Sequence, residues 1–215
     1  MDFLRGLAAN NNREWYHAHR EAYAAAKGDF ERWIGELMLV MEQAGLVDFG
    51  GLDPKQAMYR IFRDVRFHKD KPPYNPWFSA MLGPQGRNTV GAAYYVRIQP
   101  GSSVLGAGFS SQWNGDMMAA LRQEIDYNPA PLAAWLDSED FATWFGELQG
   151  DSLKRPPKGY AADHPHVDWL KRKEWWVSHP IPAEQEGTPA LADTLLAGFT
   201  AAKPMVNYLN EAISQ

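Results

Sequence analysis

The sequence predicts an α+β fold: a single domain over residues 1–215, with one mainly antiparallel sheet covered by helices from the N- and C-terminal parts. Three observations carry this prediction. Apolar residues recur at helical spacing over residues 12–44 and again beyond Thr188. Strand-like segments bunch in the middle of the chain and include a hairpin. The regular strand–helix alternation of a doubly wound parallel sheet is absent.

The elements follow in order. Asn11-x-x-Glu14 reads as a capping box, and Trp15, Ala22, Ala26, Phe30, Trp33, Leu37 and Met41 form an apolar stripe behind it. Gly28-Asp29 is a candidate break in this helical stretch, and Gly45 supplies its stop. Met58–Arg63 alternates loosely and is predicted as a strand running into a charged loop closed by Pro72-Pro73. Trp77–Leu82 is a second strand, ended by Gly83-Pro84. Ala93–Gln99 and Ser103–Phe109 form a hairpin about Pro100-Gly101-Ser102. A three-residue turn puts Tyr94, Val96, Ile98, Val104, Gly106 and Gly108 on one face, the expected core face.

Helix returns from Asn114 to Gly146, split at Asn128-Pro129 and at Ser138. A loop occupies 150–163, a short helix starts at Pro165, and Glu174–His179 reads as a buried strand. Thr188-Pro189 opens a C-terminal helix carrying Leu191, Leu195 and Phe199, interrupted or kinked at Pro204.

Composition excludes several classes. With 45% hydrophobic residues, 9 Trp, 9 Tyr and 10 Phe, the chain has the means to fill a core, so disorder is not expected. The absence of cysteine removes disulfides, thiolate nucleophiles and Cys-based metal sites, and it agrees with a cytoplasmic location. The first residues lack a signal-peptide pattern, and no run of apolar residues is long enough to span a bilayer. A formal net charge of -5 argues against a general nucleic-acid coat protein, while leaving room for a local basic groove. No phosphate-binding glycine loop, Walker motif, Gly-x-Ser-x-Gly elbow or His-Glu-x-x-His is present, and no cofactor is expected.

Against that acidic background, residues 60–74 hold five cations (Arg60, Arg63, Arg66, Lys69, Lys71) and two anions, Asp64 and Asp70. Arginine offers a planar, two-pronged grip on carboxylate or phosphate. One reading is therefore a clamp for a small anionic ligand, with the two Asp orienting the guanidiniums. The other is a set of Arg–Asp pairs that staple a loop to the sheet, as in an interaction or structural protein. A second basic loop, with Lys154 and Lys158 around Pro156-Pro157, is a candidate flank. Tyr74 and His164 are the candidate proton-transfer groups, should the site perform chemistry. His17 and His19 stand two apart on a helix and cannot chelate together, so no metal site is expected from them. His164-Pro-His166 has more ligand character but also reads as a helix start. Trp113 is a candidate rim residue. A nucleic-acid-associated module, with both basic loops as a strip, is the remaining alternative.

Several phrases stand together in a characteristic order. They are Asn-Asn-Arg-Glu-Trp (11–15), Arg-Ile-Phe-Arg-Asp-Val-Arg-Phe (60–67), Lys-Asp-Lys-Pro-Pro-Tyr (69–74) and Lys-Arg-Pro-Pro-Lys-Gly-Tyr (154–160). Leu-Gly-Ala-Gly-Phe (105–109), Asp-His-Pro (163–165) and Ser-His-Pro (178–180) complete the set. The chain resembles, over nearly its whole length, the uncharacterised family labelled domain of unknown function 2461. That resemblance implies a single-domain protein and brings no assigned activity. Asn75, where the family is expected to carry a basic residue, and His68, in place of a small one, depart from the pattern.

Overall fold

A computed structural model describes residues 1–64, 71–109 and 114–214. Helices α1 (Asp2–Ala9), α2 (Arg13–Ala18), α3 (Arg20–Gln43) and α4 (Pro54–Ala57) come first. Strands β1 (Phe78–Leu82), β2 (Ala93–Ile98) and β3 (Val104–Phe109) follow, then α5 (Gly115–Tyr127), α6 (Ala130–Leu136), α7 (Glu139–Trp144) and α8 (Val167–Leu170). Strand β4 (Trp175–Pro180) and helix α9 (Ala190–Ile213) close the order. The strands make one open antiparallel sheet in the order β1-β2-β3-β4, with helices from both ends of the chain, so the α+β expectation holds. No helix among the described residues is long and apolar enough to cross a membrane.

The chain divides into two compact units interleaved in sequence. The first comprises Met1–Asn88, Tyr95–Leu105 and Pro180–Leu196. Its long helix α3 buries Phe30, Ile34, Leu37, Met38 and Met41, a stripe at helical spacing. Phe30 stacks on Phe78 of β1 at 5.2 Å between ring centroids. The helix break falls at His19 and not at Gly28, because Gly28 continues as ordinary helix. The cap also differs from expectation. Asn12 accepts from the Trp15 N–H at 2.8 Å, which frees the neighbouring Asn11 for a distant partner. Residues 58–63 form no continuous strand. They meet their neighbours through isolated bridges, Met58 to Ala80 and Phe62 to Tyr74.

The second unit comprises Thr89–Tyr94, Gly106–His179 and Ala197–Gln215. Asn114 and Ser138 cap α5 and α7, as the sequence predicts, by accepting from Met117 and Phe141 N–H. Trp135 donates its indole N–H to the Ala201 carbonyl at 2.7 Å, and Tyr94 packs on Phe199 of α9, which runs through Pro204. The core face expected on β2 holds, with Tyr94, Val96 and Ile98 buried. On β3 both Leu105 and Ala107 are fully buried as well, so this strand is covered on both faces. Gly106 and Gly108 admit the close approach of β4, with the Trp176 ring against the first and the Trp175 backbone against the second. A Cβ on Gly106 would lie 2.5 Å from the Trp176 ring, and one on Gly108 would strike the Trp175 carbonyl.

Two glycines make opposite predictions for stability. Gly108 combines φ of +124° with that backbone contact, so Gly108→Ala should cost about 3 kcal/mol or more. Gly28 has open space at its Cβ position inside α3, so Gly28→Ala should stabilise by about 0.5–1 kcal/mol. Urea unfolding midpoints of the two variants check the sign of each.

Burial drives the Tyr94 hydroxyl far above its ordinary value, and Tyr208 rises through burial with Glu124 adding. A phenol whose folded value exceeds its unfolded value of about 10 leaves stability unchanged below that pH. Above it, the unfolded chain sheds protons that the folded chain retains, and stability falls. Urea midpoints should therefore be level approaching about pH 10 and decline above it, with phenolate absorbance of these two rings appearing only on unfolding.

Candidate functional site

The site is built on a short antiparallel ribbon in the first unit. The Arg63 N–H donates to Pro73 O at 2.9 Å, and the Asn75 N–H donates to Ile61 O at 2.7 Å. Phe62 and Tyr74 lie between these bonds as a pair with no hydrogen bonds to each other. Tyr74 therefore turns its own N–H and C=O away from Phe62. Both find the side chain of Asn11: the Asn11 amide donates to Tyr74 O at 2.9 Å and accepts from Tyr74 N–H at 3.1 Å. The Tyr74 ring is buried and stacks on Tyr16 at 4.6 Å, with Phe62 edge-on at 5.5 Å. Burial pushes the Tyr74 hydroxyl above its ordinary value, with Tyr16 adding and Arg13 opposing. Tyr74 thus stays protonated at neutral pH.

The ribbon brings Arg63 beside Asn75, whose side-chain oxygen accepts from the Arg63 Nε–H. The Arg63 guanidinium carbon lies 5.3 Å from the centroid of Trp77. Arg97 of β2 reaches the same ring, at 5.4 Å. Arg97 donates one terminal nitrogen to Ser102 O at 3.1 Å, while its Nε is buried without an acceptor. Among the described residues no carboxylate forms an ion pair with either guanidinium. Each cation–indole contact contributes about 0.5–2 kcal/mol, enough to hold two like charges on one ring without neutralising them.

The other predicted residues fall as follows. Arg60, Asp64 and Lys71 are exposed in the first unit. Arg66, Lys69 and Asp70 lie outside the described residues, as does Trp113. Lys154 and Lys158 are exposed on a loop of the second unit. His164, also in that unit, donates Nε2–H to Asp126 at 2.9 Å and accepts the His166 N–H on Nδ1 at 3.0 Å. Both ring nitrogens are therefore engaged. Among the described residues no group of three His, Asp or Glu could hold a metal ion.

Sequence reasoning passed over Arg97 and Trp77. The available signal was Arg97 as the one charge in an otherwise uncharged strand, Ala93–Ile98. Asn75, a departure from the expected cation, acts by orienting Arg63. The first unit also holds a cavity of about 630 Å³, but Phe3, Phe30, Trp33 and Leu37 wall it, and its charged side chains are Asp29 and Glu36. That lining suits an apolar body and repels an anion, so the cavity is no substitute for the arginine pair.

Replacing Asn11 with Ala strands two backbone groups of Tyr74, each orphan costing about 1–3 kcal/mol when sheltered from water. The Asn11→Ala protein should melt lower by roughly 2–4 °C per kcal/mol lost. Asn11→Asp keeps an acceptor and loses the donor, so its melting temperature should fall between the two. Thermal unfolding followed by circular dichroism measures both.

No curated protein and no solved structure matches the chain. A family model described as conserved hypothetical protein (DUF2461) matches residues 1–208, so nearly the full length, including Asn11, the ribbon and both arginines, falls within the match. The chain belongs to the DUF2461 family.

Proposed function

We propose that Arg63 and Arg97, held on Trp77, bind a small phosphate- or carboxylate-bearing ligand. The observation that carries the reading is a pair of guanidiniums converging on one indole with no described carboxylate to neutralise them. Guanidinium nitrogens match the spacing of carboxylate and phosphate oxygens, and a preset orientation lowers the entropy lost on binding. Asn75 supplies that orientation for Arg63. Exposed Arg60 and Lys71 add positive potential that draws an anion in, and Arg66 and Lys69 belong to the same charged stretch, with Asp64 and Asp70 as its internal counter-charges. The reading is one of binding: Tyr74 is a buried neutral donor, and the ring nitrogens of His164 are already occupied. A cytoplasmic setting, consistent with the lack of cysteine, is part of the proposal.

A second reading, a module for single-stranded nucleic acid, draws on Tyr59 and Phe62. Both are exposed and alternate with Arg60 and Arg63.

Calorimetric titration with inorganic pyrophosphate tests the first reading. The wild type should bind saturably. Arg63→Met and Arg97→Met should each weaken binding by about tenfold or more, as expected for a lost charge-assisted hydrogen bond, while the melting temperature falls by only several degrees with the lost indole contact. Collapse of stability in Arg63→Met would favour an internally paired structural network. A decadeoxynucleotide whose log affinity falls steeply with log salt, with no pyrophosphate binding, would favour the nucleic-acid module.

A further inference from the structure

The same sheet face that carries Arg97 also carries aromatic surface that the anion reading leaves unused. Along β2, Tyr95 and Arg97 are two residues apart and so project to one side, while Tyr94, Val96 and Ile98 are buried on the other. Tyr59 joins this face. Its N–H donates to Ser79 O at 2.9 Å, which lays residue 59 along the edge of β1. Its ring lies 6.5 Å from Tyr95, tilted at 58°. Tyr59 keeps 36% of its surface exposed. Tyr59 and Tyr95 thus form a ring pair beside the two cation–indole contacts of Arg97 and Arg63 with Trp77, with Tyr95 and Arg97 on one side of β2.

An inorganic anion would use only the arginine end. A ligand that uses both ends must join a flat π-face to a negative group. The exposed Tyr59 ring offers a stacking surface that tolerates any base, and the guanidiniums meet the charge. A ribose joins a base to a phosphate in this way. Tyr59 and Tyr95 offer no charge of their own, so the ring end selects for shape and polarisability, not for sign.

We infer that the ligand is a nucleoside phosphate, its phosphate on Arg63 and Arg97 and its base against Tyr59 beside Tyr95. This rests on the anion-site reading and names the ligand class for it.

The experiment compares three probes by isothermal titration: pyrophosphate, ribose 5-phosphate and adenosine monophosphate. Adenosine monophosphate should bind about tenfold more tightly than ribose 5-phosphate, the increment expected for one stacked base. Tyr59→Ala should remove that increment and leave ribose 5-phosphate affinity unchanged, whereas Tyr59→Phe, which keeps the ring, should retain it. Tyr95→Leu provides a second variant should Tyr59→Ala fold poorly, and it too should lose part of the increment. Equal affinity for adenosine monophosphate and ribose 5-phosphate, with pyrophosphate still bound, would overturn the nucleoside assignment and leave the anion site standing. No binding of any probe would overturn both. Tight, steeply salt-dependent binding of a decadeoxynucleotide without binding of the mononucleotide would overturn this inference in favour of an extended strand.

Discussion

The backbone N–H and C=O of Tyr74 find no partner across the ribbon. Because Phe62 and Tyr74 form the pair between two flanking hydrogen bonds, the amide and carbonyl of Tyr74 point outward, where a missing partner would be costly. Asn11 meets both with a single side-chain amide, acting as a piece of strand supplied by the turn between two helices. This pairing ties the N-terminal helical region to the ribbon. The ribbon fixes Asn75, Asn75 orients the Arg63 guanidinium, and Arg63 shares Trp77 with Arg97. Each link constrains the next, so the placement of a charged group begins with the satisfaction of two neutral ones.

Magnitudes explain why the order runs that way. Two stranded backbone groups would cost more than either cation–indole contact returns. Surrounding rings add rigidity: Tyr16, Tyr23, Phe62, Tyr74 and Phe78 pack edge-on, stacked or tilted around the base of the ribbon. Arginine heads therefore emerge from a stiff base. A stiff base spends little entropy on ligand capture, the condition under which a few hydrogen bonds become measurable affinity.

Much of the fold was legible because its signals are local. The apolar stripe of α3, the turn at Pro100-Gly101-Ser102 and the caps at Asn114 and Ser138 depend on neighbours a few residues away. The charged stretch from Arg60 was legible too, as a departure from an acidic background. The partners of Arg63 were not, since Arg97 comes to Trp77 only through the pairing of β1 with β2. Asn11 shows the same limit. A helix start offers a local acceptor role to Asn11 and to Asn12 alike; the chain uses Asn12 locally and commits Asn11 to a residue 63 positions away. The close neighbour of the glycine strand shows the limit again, because Trp176 arrives from β4 and no local pattern in β3 announces it.

The most direct test of the central claim is a crystal structure grown in phosphate. The account predicts one phosphate with oxygens at about 2.7–2.9 Å from terminal nitrogens of both Arg63 and Arg97, beside Trp77. A structure in which either guanidinium is closed onto a carboxylate of the protein, with no anion between them, would contradict it.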